Sequence, residues 1–514
     1  MAEYVEPRTR VAVPPRRAAG YELGVGPPLA IDDLPTPEAV FRAPRIGVKE
    51  TVALVVGPSL IALGLSIGSG EWLLAPLAIG INGWVGVGFV AFVSIVLQAF
   101  YNMEIGRYVL ATGEVPSIGF GRIPPGFYIG TFVAVLLFYL AFITGGWAAA
   151  AGDGLFTLIT GDIPGDEDRT TSRWIAVGLI AAVFVITLIG RKISRTLELV
   201  NWGMVLSILV LMFLIDILVV GWSDVGDGLE GMFRPALPPE GTAAVDIGAV
   251  AGFAAMASGL NYVFMNYYRD KGYGMGSKSG YIPGLLAGRD VEPVDPVGTT
   301  FRETPENTGL WNRWWRFLKL EMWIVFVPGA ILGLLLPGIL ISHLAKETGT
   351  APSKETMPTY AADQLRATGE GDAFFYIALV IGFLVLFSTQ MVVFEMLVRN
   401  FVDGAYGASS RFRRLVQGDP RRIYYPFMVL LAVVISVIIF QTLPTSLVSW
   451  AANMSNLAAL IMPLALLYLI TKLPRPARAR WWSFVILIAC VVFFGYFFIN
   501  FFSNEVFDTD LSFW

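Results

Sequence analysis

Apolar residues gather along this chain into runs of about 20, the length of helix that crosses a bilayer's hydrocarbon core. The runs recur from position 51 to the end. They predict eleven spans, at about 51–80, 84–102, 127–150, 173–190, 199–222, 246–268, 318–341, 373–398, 423–441, 446–470 and 481–502. Residues 1–48 are polar and proline-rich, with no signal-peptide pattern, and are expected to form a disordered cytoplasmic tail. Residues 49–503 are expected to form one membrane domain, and 504–514 a short external tail.

Cationic residues test the count, because Lys and Arg collect on cytoplasmic loops. Arg191, Lys192 and Arg195 fall in one connection, and Arg269, Lys271, Lys278, Arg289, Arg302, Arg313 and Arg316 in the next but one. Arg399, Arg411, Arg413, Arg414, Arg421 and Arg422 follow, then Lys472, Arg475, Arg478 and Arg480. The intervening loops are acidic, as in "GDIPGDED" from Gly161 and "SDVGDGLE" from Ser223. This alternation places the N-terminus in the cytoplasm and the C-terminus outside.

Composition agrees: 55% of residues are hydrophobic and 15% charged, against about 25% charged in soluble domains. A net charge of -4 with no basic domain gives no sign of nucleic-acid binding. The one cysteine, Cys490, excludes a disulfide framework or a cysteine metal site. "WNRWWRFLK" from Trp311 reads as an interfacial helix with tryptophans at headgroup depth.

Two apolar runs are interrupted. The first holds "GLSIGSGEWLLAP", with a break near Gly68, Ser69 and Gly70 and an acid, Glu71, beside it; the sixth holds "GFAAMASGLNY", with a break at Ser258 and Gly259. Irregular backbone at membrane depth is tolerated only where it is buried in protein or lines a cavity. Breaks at matching places in two five-helix halves point to an inverted-repeat transporter with its site at the midplane. The halves are about 51–222 and 246–470, with an extra helix at 481–502. The plain alternative is that the glycines let helices pack closely. No enzyme is expected: His343 is the only histidine, and no HExxH, Walker loop or GxSxG occurs. The lack of a nucleotide site argues against a primary pump, and no filter motif or charged ring suggests a channel.

"GPSLIALGLSIGSGEWLLAP", "LQAFYNMEIGRYVLATGE" from Leu97, "NYYRDKGYGMGS" from Asn266 and "LAALIMPLALLYL" from Leu457 resemble the natural resistance-associated macrophage protein (Nramp) family of divalent-metal transporters, in its divergent branch. The resemblance implies an all-α polytopic protein of eleven helices in a LeuT-type 5+5 inverted repeat, with helices 1 and 6 broken. It sets Gly68-Ser69-Gly70-Glu71 against the family's Asp-Pro-Gly-Asn metal motif, so the aspartate is absent and a carboxylate stands at the asparagine position. Ala257-Ser258-Gly259-Leu260 stands where the family has Met-Pro-His, and Asn456 about where it has a glutamine.

With the thioether and histidine gone, the remaining candidates are oxygen donors: Glu71, Ser69, Ser258, Asn261, Asn456 and the carbonyls near Gly68 and Ala257. Oxygen sets suit Mg²⁺, Mn²⁺ or Ca²⁺, and Mg²⁺ keeps several waters. The expected cargo is therefore a hard divalent cation, Mg²⁺ or Mn²⁺ first, carried without a resident cofactor and coupled, if at all, to H⁺ or Na⁺. No obligate protein partner is expected beyond the lipid bilayer. The structural alternative is that Glu71 only caps the second half-helix. Asp216 and Gln390 are candidates for coupling or pathway roles, Asp216 alternatively pairing across helices; Glu395 and Arg399 have ion-pair spacing. The rival functions are a sodium- or proton-coupled symporter of a small organic solute, for which Glu71 favours an amine, and a non-transporting sensor.

Overall fold

An apolar run in lipid has only its own carbonyls for its amides to pair with, so it closes on itself as helix. The computed structural model describes residues 31, 34, 36, 68–188, 193–256, 258–264, 266–278, 298–416, 421–509 and 511–514; the regular elements among them are all helices, with no strand. The expected tail and the part of span one before Gly68 lie almost wholly outside the described residues, as does Ala257.

Span one is described as a π-helical turn, Gly70–Leu74, leading into α1 (Ala75–Asn82). α2 (Val87–Thr112) stops at Gly113, where a φ of 68° closes the last turn. The third predicted span is two helices, α3 (Phe127–Phe142) and α4 (Gly146–Thr160), jointed at Gly145. Then come α5 (Arg169–Leu188) and α6 (Ile193–Val219), from which α7 (Trp222–Phe233) departs at 120°. Span six is α8 (Ala244–Phe253), a non-helical stretch, and two short helices, α9 (Asn261–Phe264) and α10 (Asn266–Asp270). α11 (Pro305–Leu320) continues through a π-helical turn, Glu321–Phe326, into α12 (Val327–Thr348). The last four long helices are α13 (Asp372–Ala408), α14 (Arg421–Ile438), α15 (Pro444–Thr471) and α16 (Trp481–Phe507).

Among the described residues eight helices are long and apolar enough to cross a membrane, and the bent α6–α7 pair makes a ninth. The first and sixth expected spans escape that count, one described only in part and the other broken. Apolar side chains also face outward: Val429, Val433 and Val437 on α14 are each at least half exposed. Such a stripe is a liability in water and suits lipid. The chain is a multi-pass membrane protein.

α8 packs against the π-helical turn of span one, against α15 and against α16, while α13 packs on α4 and α6. The two interrupted spans thus meet inside the bundle. In the tryptophan-rich helix, Trp311 and Trp314 of α11 are buried against the protein, with Arg313, Arg316 and Lys319 on the exposed face. The Trp315 ring lies 4.1 Å under the guanidinium of Arg107, whose charge is paired with Glu104.

Candidate functional site

Breaking a helix strands the carbonyls of its last turn, and span six shows where they go. α8 ends at Phe253; Ala254 is extended and Ala255 has a φ of 73°. The chain doubles back so that Ser258 N–H donates to Gly252 O at 2.6 Å. Span two supplies further donors: Ser94 Oγ donates to Ala251 O at 2.6 Å, and Gln98 Nε2 donates to Ala254 O, which also accepts Met256 N–H at 3.1 Å. One turn further along α2, Asn102 Oδ1 accepts from Asn261 Nδ2 at 2.7 Å. Ser94, Gln98 and Asn102 stand at i, i+4 and i+8, one polar stripe on an apolar helix. That spacing was readable in the sequence and marks the helix serving the break.

Glu71 joins the two spans. Its Oε2 accepts Gly68 N–H at 2.9 Å, the reach-back of a capping residue, and its Oε1 accepts Ala255 N–H at 2.8 Å across the interface. It is 1% exposed. A carboxylate at this depth stands only if its oxygens are paired, and here both are. Gly70 lets the spans approach: a Cβ there would lie 2.3 Å from Phe253 O.

Beside Glu71 is a cavity of about 20 Å³, room for about one water molecule. Gly68, Ser69, Gly70 and Glu71 bound it from span one, Phe142 and Trp147 from span three, Phe253, Met256 and Leu260 from span six, and Thr389 and Val393 from α13. Phe142, Trp147 and Phe253 stack, with centroids 6.0–6.1 Å apart and planes within 21°. Trp147 Nε1 donates to Ser69 Oγ. Nothing in the hydrophobic pattern singled out Phe142 or Trp147; the two halves of span three and the end of α8 in span six deliver this wall.

The expected oxygen set is divided. Gly68, Ser69, Gly70 and Glu71 line the cavity. Ser258 and Asn456 do not line it; they pair with each other, Ser258 Oγ donating to Asn456 Oδ1 at 3.1 Å while Asn456 Nδ2 donates to Gly248 O. Asn261 stands with Gln98 and Asn102, and Gly259 packs against Ser455 and Ala458. The physical reason is common to all: these groups satisfy the broken backbone or one another. Gln390 Oε1 accepts Ala148 N–H at 3.1 Å, serving the joint in span three. Asp216 is buried in α6 with no hydrogen-bond partner for either oxygen among the described residues, so the cross-helix pair is not formed. Glu395 and Arg399 are paired at 2.7 Å, and His343 Nδ1 lies 2.9 Å from Asp224.

Among the described residues no group of three or more His, Cys, Asp or Glu side chains is placed to hold a metal ion. A cation held at Glu71 would therefore have one charged ligand, completing its shell with hydroxyl, carbonyl and water oxygens. Beyond the break, span six makes a further contact with span eight, Arg269 Nη2 to Asp403 Oδ2 at 3.0 Å.

A scan against protein-family models finds no match, and neither does a search of curated proteins. Solved structures do match. A mutant of the Eremococcus coleocola manganese transporter aligns over 94% of this chain and 93% of its own, at 15% identity and a TM-score of 0.56. The same transporter, in complex with an aromatic bis-isothiourea substituted compound, aligns at 14% identity and a TM-score of 0.57, with the same coverage. MhsT in complex with L-phenylalanine aligns over 89% of this chain and 99% of its own, at 13% identity and 0.53. At such identities the likeness is one of fold: this chain has the LeuT-type fold that these transporters share.

Proposed function

We propose that the protein is a secondary active transporter of the cell membrane, N-terminus cytoplasmic and C-terminus external. It carries a hard divalent cation, Mg²⁺ or Mn²⁺, by alternating access. One observation carries the reading: Glu71, a single buried carboxylate, borders the cavity where the break in span six meets span one. An acid at membrane depth is costly and marks a functional site. Glu71 supplies the charge, and Ser69 with the backbone near Gly68 supplies neutral oxygens. The shared fold with a manganese transporter supports this reading. A coupling gradient of H⁺ or Na⁺ would drive accumulation.

Uptake of Mn²⁺ and Mg²⁺ into proteoliposomes tests it. Saturable entry, abolished or cut at least tenfold in Glu71→Gln, is the expected result; a tenfold effect corresponds to about 1.4 kcal/mol. If no divalent ion enters or competes while a small amine does, the cargo is organic. That second reading has its own observation: the stacked Phe142, Trp147 and Phe253 wall beside the carboxylate suits an organic cation by cation–π attraction.

A further inference from the structure

Away from Glu71, two connected hollows open at the end of the molecule that carries the C-terminus. The smaller, about 220 Å³, is bounded by Asp246, Lys354, Asn500, Asn504 and Glu505. The larger, about 680 Å³, shares Val245, Lys354 and Glu505 with it. It runs down an apolar wall that includes Leu136, Leu140, Ile438, Leu447, Trp450 and Phe501. Leu136, Leu140 and Trp450 are each about 40% exposed, so the groove opens sideways onto the apolar perimeter that the bilayer covers. Charge and hydrogen-bonding capacity sit at one end and hydrocarbon at the other.

The polar end is built. Lys354 Nζ is held by Asp246 Oδ1 at 2.9 Å and keeps two further N–H donors. Asn500 is 2% exposed and spends its Nδ2 on Tyr496 O at 3.0 Å. Its Oδ1 is buried with no partner among the described residues. A buried acceptor left unmade is costly and asks for a donor. Glu505 stands at the same hollow with no ion pair among the described residues. One cation, Lys354, two carboxylates, Asp246 and Glu505, and the Asn500 acceptor at the mouth of an apolar groove complement an amphiphile with a phosphate and a primary ammonium.

We propose that this is a binding site for a phospholipid with a primary ammonium headgroup, such as phosphatidylethanolamine, taken from the leaflet on the C-terminal side. The phosphate lies on Lys354, the ammonium donates to Asn500 Oδ1 and Glu505, and an acyl chain occupies the groove past Leu447 and Trp450. The site bears on function through Asp246, in the first turn of α8, the half-helix that ends at the break. Lys354 lies in the connection between α12 and α13 and Asn500 on α16, so a lipid here ties both of these to the start of span six.

The test is native mass spectrometry of the full-length, delipidated protein, offered equal phosphatidylethanolamine and phosphatidylcholine with identical acyl chains. A quaternary ammonium has no N–H to give Asn500 or Glu505, so phosphatidylethanolamine should be retained roughly tenfold more, the worth of a charge-assisted hydrogen bond. Glu505→Gln, at an exposed position, together with Asn500→Leu should bring the two lipids to parity, and Lys354→Ala should weaken both. Equal retention by the wild type overturns the proposal. So does a folded Glu505→Gln variant, with an unchanged melting midpoint, that keeps the full preference. Soluble phosphoethanolamine is the third arm: if it displaces the lipid, the hollow reads a free headgroup and the lipid assignment fails.

Discussion

Glu71 Oε1 accepts the amide of Ala255 at 2.8 Å, and Ala255 is the residue in the span-six break whose φ, 73°, lies in the left-handed region. A residue with a Cβ costs about 1–2 kcal/mol there. The carboxylate meets that amide and so helps hold the kink by which α8 ends. Capping and substrate binding are thus not rival roles for Glu71. The same two hydrogen bonds that make it a cap place it between Gly68 in span one and the break in span six, beside the cavity.

Glu71→Gln preserves shape but replaces one acceptor oxygen with an NH₂ group, so either Gly68 N–H or Ala255 N–H faces a donor. The cost of one unmet buried amide is about 1–3 kcal/mol. The melting midpoint in detergent, followed by tryptophan fluorescence, should fall accordingly. Uptake should fall at least tenfold in preparations that remain folded. A variant that loses stability but transports normally would reduce Glu71 to a cap.

Ala255→Gly separates strain from hydrogen bonding. Glycine takes positive φ without steric cost, so the variant should be stabilised by about 1 kcal/mol or less, the unfolded chain's added freedom offsetting part of the gain. Placed in the Glu71→Gln background it should recover part of the lost midpoint, because the kink then needs less support. The four melting curves form a double-mutant cycle, and a coupling energy near zero would show that the carboxylate does not hold the kink.

Gly70→Ala tests the approach of the two spans. The new methyl would lie 2.3 Å from Phe253 O, a backbone atom at the end of α8 that cannot rotate away. Overpacking of this kind costs about 1–3 kcal/mol. Both the melting midpoint and uptake should drop, since span six must shift and take Ala255 away from Glu71. Gly178, where a Cβ meets nothing within 4 Å, is the control: Gly178→Ala should leave both unchanged or slightly improved.

The long apolar spans, the break in span six and the prominence of Glu71 were legible because each leaves a local mark: an apolar run, a cluster of small residues, an acid where acids are rare. The fate of Ser258, Asn261 and Asn456 was not legible. All three are polar residues in or near the breaks, and a sequence cannot distinguish an oxygen that awaits a cation from one already committed to a backbone group. In the structure Asn456 serves Gly248 O and Ser258, while Asn261 serves Asn102. The aromatic wall was hidden for a different reason. Phe142, Trp147 and Phe253 look like ordinary core residues in their own runs, and only the joint at Gly145 turns Trp147 onto Ser69.

Gln98 gives the sharpest test of the stripe on α2, because its amide has two jobs of opposite sense. Nε2 donates to Ala254 O in the break, beside the Met256 N–H that the same carbonyl accepts, and Oε1 accepts from Asn261 Nδ2 at 3.3 Å. Gln98→Leu removes both and leaves Ala254 O with only the Met256 N–H at 3.1 Å, costing about 0.5–1.5 kcal/mol for the lost hydrogen bond. Gln98→Glu retains the acceptor toward Asn261 but turns a carboxylate oxygen toward the Ala254 carbonyl. It then either buries an unpaired charge or takes up a proton to regain a donor, and both are unfavourable at neutral pH. The expected order of melting midpoints is wild type, then Gln98→Leu, then Gln98→Glu. Lowering the pH from neutral toward 5 should narrow the gap between the two variants, as protonation lets the introduced carboxyl donate to Ala254 O. If Gln98→Glu instead melts above Gln98→Leu at neutral pH, the hydrogen bond to the break is not what Gln98 contributes.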